Sequence, residues 1–339
     1  MYWLATRIIV AALFCFNAGA AKADFQDNQP ISITTSGATA AGFGRAIVEA
    51  LNAIVREVYP GSTMTFRPNT VAGGLVDLDN GDAQMSIGAT SVEIPMALEG
   101  TPPFERPMKG KLAFVFNAIP GTDFFFVASK AWADRSGVST MEDFLSKKPR
   151  SVFSTGNRGA IYIGEISEAL LKQGGSSIDT IEKRWPGSSV AWLTSNRALD
   201  EIKDGKLDYL IGATFQPFQT IIEVSRTRPM VWIKVPDRYL SAVASSYDLE
   251  VVTYPRDFYP FLQEEVKTLR INLGMLATTT LSEEAVYKYL KAVGTKIDRF
   301  RAIHPSYKDV TLEILAKKPK NLEYHPGAAR YFREVGILK

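Results

Sequence analysis

The chain has 339 residues, 46% of them hydrophobic, and 39 Lys and Arg against 36 Asp and Glu give a formal charge of +3. So small a basic excess excludes a nucleic-acid surface. One cysteine and two histidines leave little material for thiol or metal chemistry. A chain of this length exceeds what one hydrophobic core usually holds, so two lobes are expected.

Arg7 is followed by an apolar run from Ile8 to Phe16 and then by small residues ending in Ala21-Lys22-Ala23. A positive start, an apolar stretch of this length and an A-x-A site predict a cleaved Sec-type signal peptide over residues 1–23 and a periplasmic protein. The run falls short of the roughly 20 apolar residues a membrane span needs. A buried N-terminal helix is the alternative. Phe14 stands where a lipoprotein signal needs a small residue before Cys15. Cleavage removes Arg7, Lys22 and the only cysteine, leaving a charge of +1.

Ile31 and Ile33 alternate in a short strand. Ala46, Ile47, Ala50, Leu51, Ile54, Val55 and Val58 recur at helical spacing up to Pro60-Gly61. Met64 to Phe66 is a second strand, followed by a Gly73-Gly74 loop and a short helix through Leu75 and Leu78. A third strand, Ala83 to Ala89, precedes a helix that Ser91 is placed to cap. Strand, polar loop and helix start repeat, which is the grammar of an open, mostly parallel α/β sheet with ligands beyond the strand ends.

Two near-continuous apolar strands follow, Leu112 to Ala118 and Asp123 to Ser129, and Thr122 to Ser129 reads as a crossing into a second lobe. There Ser139 and Glu142 form a capping-box pattern. Strands are expected at Ser151 to Ser154, Thr180 to Trp185, Leu207 to Ala213 and Val231 to Val235. Helices are expected at Ala160 to Leu171, Val190 to Lys203 and Phe218 to Arg226. Val266 to Leu276 is long and alternating, the return crossing. Ser282 caps a helix carrying Glu283 and Glu284 in its first turn. The predicted organisation is therefore a discontinuous lobe 1 (24–121 plus 266–339) and an inserted lobe 2 (122–265), hinged as a clamshell with the cleft between them.

Four polar loops fall at strand ends. They contribute Ser36, Gly37, Thr39 and Phe43; Thr70 and Gly73; Thr155, Asn157 and Arg158; and Thr214 and Gln216, the last followed by Pro217 at an expected first helical position. Thr90 ends the third strand, and Trp185 joins Phe43 and Phe215 as a possible wall. Helix N-termini with small residues and hydroxyls suit carboxylate or phosphate oxygens, and Arg158 offers a two-pronged grip on a carboxylate. The competing readings are ordinary capped turns, a solvated arginine and plain core aromatics.

Other motifs fail on inspection. Phe43 occupies the place of the P-loop lysine after Gly37 and Gly42. The run Asp77, Asp79, Asn80, Gly81, Asp82 opens like a calcium loop but has Gly88 where the closing Glu belongs. His304 and His325 are far apart in sequence, and Gly187-Ser188-Ser189 lacks the second glycine of a nucleophile elbow. No catalytic residue, cofactor or metal is expected.

The C-terminal run His325-Pro326-Gly327-Ala328-Ala329-Arg330-Tyr331 through Gly336 is close to an HPGA-x-x-Y-x-x-x-G signature. With Thr35-Ser36-Gly37, Gly81-Asp82 and Asp204-Gly205-Lys206-Leu207-Asp208, it makes the chain similar to the TAXI family of solute-binding proteins, which serve TRAP transporters. That resemblance, from Ile31 onward, implies a type II periplasmic-binding-protein fold, a ligand such as glutamate, 2-oxoglutarate or another organic acid, and membrane permease subunits as partners, while the double crossing predicts a monomer that closes on its ligand. The chain departs from the family at Gly156-Asn157-Arg158-Gly159, at Asp143 to Pro149 and at Val71 to Leu75. Two other functions compete. One is presentation of the ligand to a membrane histidine kinase, and the other is an enzyme on the same fold.

Overall fold

The computed structural model describes residues 29–40 and 43–339. The expected signal peptide, 1–23, lies outside them. The first half alternates β1 (Ser32–Ser36), α1 (Phe43–Val58), β2 (Thr63–Phe66), α2 (Val71–Asn80), β3 (Met85–Ala89) and α3 (Glu93–Glu99) before the 18-residue β4 (Leu112–Ser129). The second half holds α4 (Lys130–Ser136), α5 (Met141–Lys147), β5 (Val152–Ser154), α6 (Ile161–Gln173), α7 (Ile178–Arg184), β6 (Ser189–Ala191) and α8 (Ser195–Lys203). It continues with β7 (Tyr209–Phe215), α9 (Gln219–Thr227), β8 (Met230–Trp232), α10 (Asp237–Tyr247) and β9 (Glu250–Tyr254). The return strand β10 (Val266–Thr278) leads into α11 (Glu283–Thr295), α12 (Ile297–Arg301), α13 (Leu312–Ala316) and α14 (Pro326–Glu334).

Strand order is β2-β1-β3-β10-β4-β7-β5-β6, with β8 on β4 and β9 on β10. β1, β2 and β3 are mutually parallel, as are β5, β6 and β7, while β4 and β10 run antiparallel to their neighbours. The two long strands build the connection. β4 pairs with β10 up to Asp123 and with β7 from Thr122, and β10 pairs with β9 up to Arg270 and with β4 from there. Both strands thus change partners at one level, and the chain forms the two-lobed type II binding-protein architecture. Seventeen of the 18 residues of β4 are buried, with only Gly121 partly open. That explains an apolar run without alternation.

Asp123 and Arg270 stand opposite one another at this level. The guanidinium donates from Nε to Oδ1 at 2.6 Å and from Nη2 to Oδ2 at 2.7 Å. Tyr254 on β9 adds its hydroxyl to Oδ2.

The C-terminal helices return to the first lobe, α11 packing on α1 and α14. His325 is the N-cap of α14: Nδ1 accepts from Gly327 N at 3.2 Å and Nε2 lies 3.0 Å from the Leu281 carbonyl. A Cβ on Gly327 would come within 2.2 Å of the Glu283 carbonyl, and one on Gly294 within 1.8 Å of the Tyr331 hydroxyl. The signature that suggested a family therefore clips α14 onto α11.

Several expected elements change. Thr180 to Trp185 is helical, not a strand. Ser177 caps α7 by accepting from Thr180 N, Asp179 lies in its first turn, and Lys183 and Arg184 lie in its last. These end effects outweigh a short period-two pattern of which only Ile181 is buried along α7. Val190 to Lys203 divides into β6 and α8 because Thr194 caps a fresh helix. The capping box sits one residue later, on Thr140 and Asp143. Val92, not Ser91, is the N-cap of α3, and its N–H donates to Thr90. Pro217 precedes the N-cap Phe218 of α9, whose N–H donates to the Tyr259 hydroxyl at 2.7 Å. The two apolar strands around Gly121 are one strand, and Val231 to Val235 contracts to β8.

Candidate ligand-binding site

Between the lobes lies a cavity of about 330 Å³ lined from both sides. Its walls are apolar where Val71, Ile87, Ile119 and Leu273 of the first lobe face Ile163 and Ala213 of the second. Phe43 is part of the lining. Its ring meets Phe215 of the opposite lobe edge-on at 4.5 Å, and both rings touch His304.

Four helices begin at this cavity: α1 with Phe43 and Gly44, α2 with Thr70 and Val71, α6 with Ala160 and Tyr162, and α8 with Thr194 and Ser195. None carries an acidic residue in its first turn. By contrast, α5 and α11, which start elsewhere, each carry two. The positive dipole ends of four helices therefore meet in one space, that of α6 being capped from behind by the buried Glu93 carboxylate, which is not part of the lining. Among the described residues lining it there is no Asp, Glu, Lys, Arg or His. The positive field comes from backbone.

The loops approach closely because of glycine. Gly37 has φ +93°, and a Cβ there would lie 2.4 Å from the Ile87 carbonyl oxygen. A Cβ on Gly74 would lie 2.3 Å from Gly37 Cα. The first turn of α2 is thereby pressed against the end of β1.

Of the residues expected from the sequence, Gly37, Thr39, Phe43, Thr70 and Asn157 line the cavity. Thr70 also caps α2, accepting from Gly73 N at 3.1 Å, which gives Gly73 its place. Ser36 is buried behind the loop and donates to Asp77 Oδ2 at 2.6 Å. Thr155 is buried and faces the Ile163 carbonyl at 3.5 Å. Thr90 donates to Glu93. Thr214 lies on β7 beside Ala213, in register with Asp123. Gln216 Oε1 accepts from Tyr259.

Ser36, Gly73, Thr90, Thr155, Thr214 and Gln216 are thus not in the lining, and neither are Trp185 and Arg158, which lie within the second lobe. Trp185 is buried in the second lobe against Phe144, ring centroids 4.9 Å apart. Arg158 lies over Trp192 at 4.3 Å in a groove formed by the second lobe alone, among Glu165, Glu168 and Glu182. Cation–π attraction holds the guanidinium over the indole. That groove and another beside Trp232 are larger, about 490 Å³ each, but helix N-termini from both lobes meet only in the smaller cavity.

Sequence reasoning missed Thr194, Ser195, Tyr162 and Ile163. The signal for the first two was a Thr N-cap, hidden when one helix was drawn from Val190. Asp77 and Asp79, the acids of the calcium-like run, are paired instead: Asp77 with Arg67, and Asp79 with Lys111 and Arg106. Lys111 holds the Asp79 carboxyl below the usual range. Among the described residues no group of three His, Cys, Asp or Glu is arranged to hold a metal, and no helix is long and apolar enough to cross a membrane.

Two lobes joined by paired crossing strands, with helix N-termini pointing into the cleft, define a type II binding-protein fold. The chain belongs to the NMT1-like family, matching it over residues 27–336. Among solved structures it is similar to a periplasmic transporter protein at 14% identity, over 89% of this chain and 93% of that one, with a TM-score of 0.50. It is also similar to malate-bound MatC of Rhodopseudomonas palustris (15% identity, 82% and 89% coverage, TM-score 0.49). A choline-bound ABC-transporter binding protein gives 11% identity, 90% and 98% coverage and a TM-score of 0.46. At these identities the likeness concerns the fold. No curated protein matches the sequence.

Proposed function

We propose that the chain is a periplasmic solute-binding protein that captures a small organic acid, of amino-acid or oxo/dicarboxylate type, and delivers it to the membrane subunits of a TRAP-type transporter. The observation that carries this reading is the meeting of four helix N-termini, of which only that of α6 is capped by a carboxylate, at an interlobe cavity whose described lining holds no charged side chain. Such a space favours a carboxylate and gives a cation no counter-charge. The lobes comprise 24–121 with 266–339, and 122–265, and the leader 1–23 is removed on export. Gly37, Thr39, Phe43, Thr70 and Asn157 are the contact residues, joined by Thr194 and Ser195.

Native mass spectrometry of gently purified protein tests the assignment by identifying the co-purified molecule. A carboxylic acid is expected. A cationic or uncharged molecule in the cleft overturns it.

A further inference from the structure

Helix α6 begins without a cap of its own. Its N-cap residue is Ala160, which makes no side-chain cap bond. Its neighbours at the cavity, α2 and α8, are capped by Thr70 and Thr194 from their own loops. The missing oxygen arrives from the other lobe. Glu93, the first residue of α3, accepts a 3.0 Å hydrogen bond on Oε1 from the N–H of Tyr162, the second residue of α6. That is a position from which a helix donates to a capping side chain. The other carboxylate oxygen takes the hydroxyl proton of Thr90, whose Oγ1 also accepts from Val92 N at 3.0 Å. Glu93 and Thr90 are both fully buried.

A buried carboxylate is costly unless its oxygens are paired. Here Thr90 of the first lobe holds Oε2 and Tyr162 of the second holds Oε1. Separating the lobes leaves Glu93 Oε1 and the first turn of α6 to water. Joining them removes both from water and orders the start of α6, where Ala160 and Tyr162 face the cavity. We propose that Glu93 is a positioning residue that locks the lobes together, capping α6 across the cleft and fixing the ligand-facing edge of the second lobe. This rests on the reading that the lobes close on a ligand. Desolvation pushes the Glu93 carboxyl above the ordinary carboxylate value, ahead of the lowering by Thr90. Glutamine keeps the acceptor without the charge and is therefore the conservative substitute.

The test compares wild type, Glu93→Ala and Glu93→Gln, each ligand-free and with saturating 2-oxoglutarate, by residue-resolved amide hydrogen exchange and small-angle scattering. In Glu93→Ala the Tyr162 N–H is expected to exchange roughly 2- to 30-fold faster, the range of a lost helix cap, with a larger radius of gyration in at least one condition. Glu93→Gln should stay near wild type in both readouts. Equal exchange at Tyr162 in wild type and Glu93→Ala overturns the proposal. So does faster exchange with an unchanged radius of gyration. If 2-oxoglutarate has no effect on wild type while ligand-free Glu93→Ala is more extended, the ligand assignment fails and the lock stands. Should Glu93→Ala not fold, Thr90→Val, which releases only the other oxygen, is expected to shift both readouts in the same direction by less, and no shift counts against the lock.

Discussion

Asp123 and Arg270 face each other where both long strands change partners, and they are joined by two hydrogen bonds of 2.6 and 2.7 Å. Asp123 is almost completely buried, whereas the Arg270 side chain is 36% exposed. The pair ties the crossing strands at the point about which the lobes would turn.

Asp123→Asn should therefore destabilise the fold by about 2 kcal/mol. Breaking a fully buried pair costs roughly 3–5 kcal/mol and an exposed one below about 1, and the partial exposure of Arg270 places this pair between them. Urea unfolding followed by circular dichroism measures it. A loss under about 0.5 kcal/mol would mean that the pair is incidental to the crossing.

Thr39→Val should weaken binding of an organic acid such as 2-oxoglutarate by roughly 10-fold or more, because a hydrogen bond to a charged group contributes about 1.5–3 kcal/mol. Arg158→Ala should leave affinity within about twofold, since its guanidinium is stacked on Trp192 outside the cavity lining. Isothermal titration of both variants decides. A large loss in Arg158→Ala with none in Thr39→Val would reverse the assignment of the site.

His304 gives the folded protein a pH dependence. Packed against Phe43 and Phe215 of opposite lobes, it is held by burial below its ordinary value of 6.5. The neutral ring is favoured, and its Nδ1 accepts from Ser306 N at 3.2 Å. Its stabilisation is fully present above about pH 6.5 and is lost as pH falls through the lowered native value. Melting temperature should fall with pH over that window, and His304→Gln should flatten the slope. An identical slope in wild type and variant would remove His304 from the account.

Gly74→Ala should cost about 2 kcal/mol or more, because the added methyl meets backbone atoms of Gly37 at 2.3 and 2.5 Å that cannot rotate away. Thermal unfolding checks this. Gly81→Ala, at an open αL C-cap where a Cβ meets nothing within 4 Å, isolates the backbone-conformation cost alone and should lose less.

The alternation of strands and helices and both crossing strands were legible because hydrophobic periodicity records them directly. Five residues of the cavity lining, Gly37, Thr39, Phe43, Thr70 and Asn157, were legible because they sit in polar loops that end strands and open helices. The placement of Arg158 was not, since a cation in a polar loop looks the same whether it faces the cleft or the Trp192 ring. The α7 helix was misread because its caps, Ser177 at one end and Lys183 and Arg184 at the other, decide the segment more than the residues between them. The pairing of Glu93 with Tyr162 joins positions 69 residues apart, and no local pattern announces it.

The run from His325 to Gly336 has a consequence for relatives of this protein. Its histidine, glycine and tyrosine fasten one helix to another at the back of the first lobe, away from the cavity lining. The clasp and the cavity lining share no residue. A matching C-terminal run therefore speaks for the same fold and not for the same occupant of the cavity.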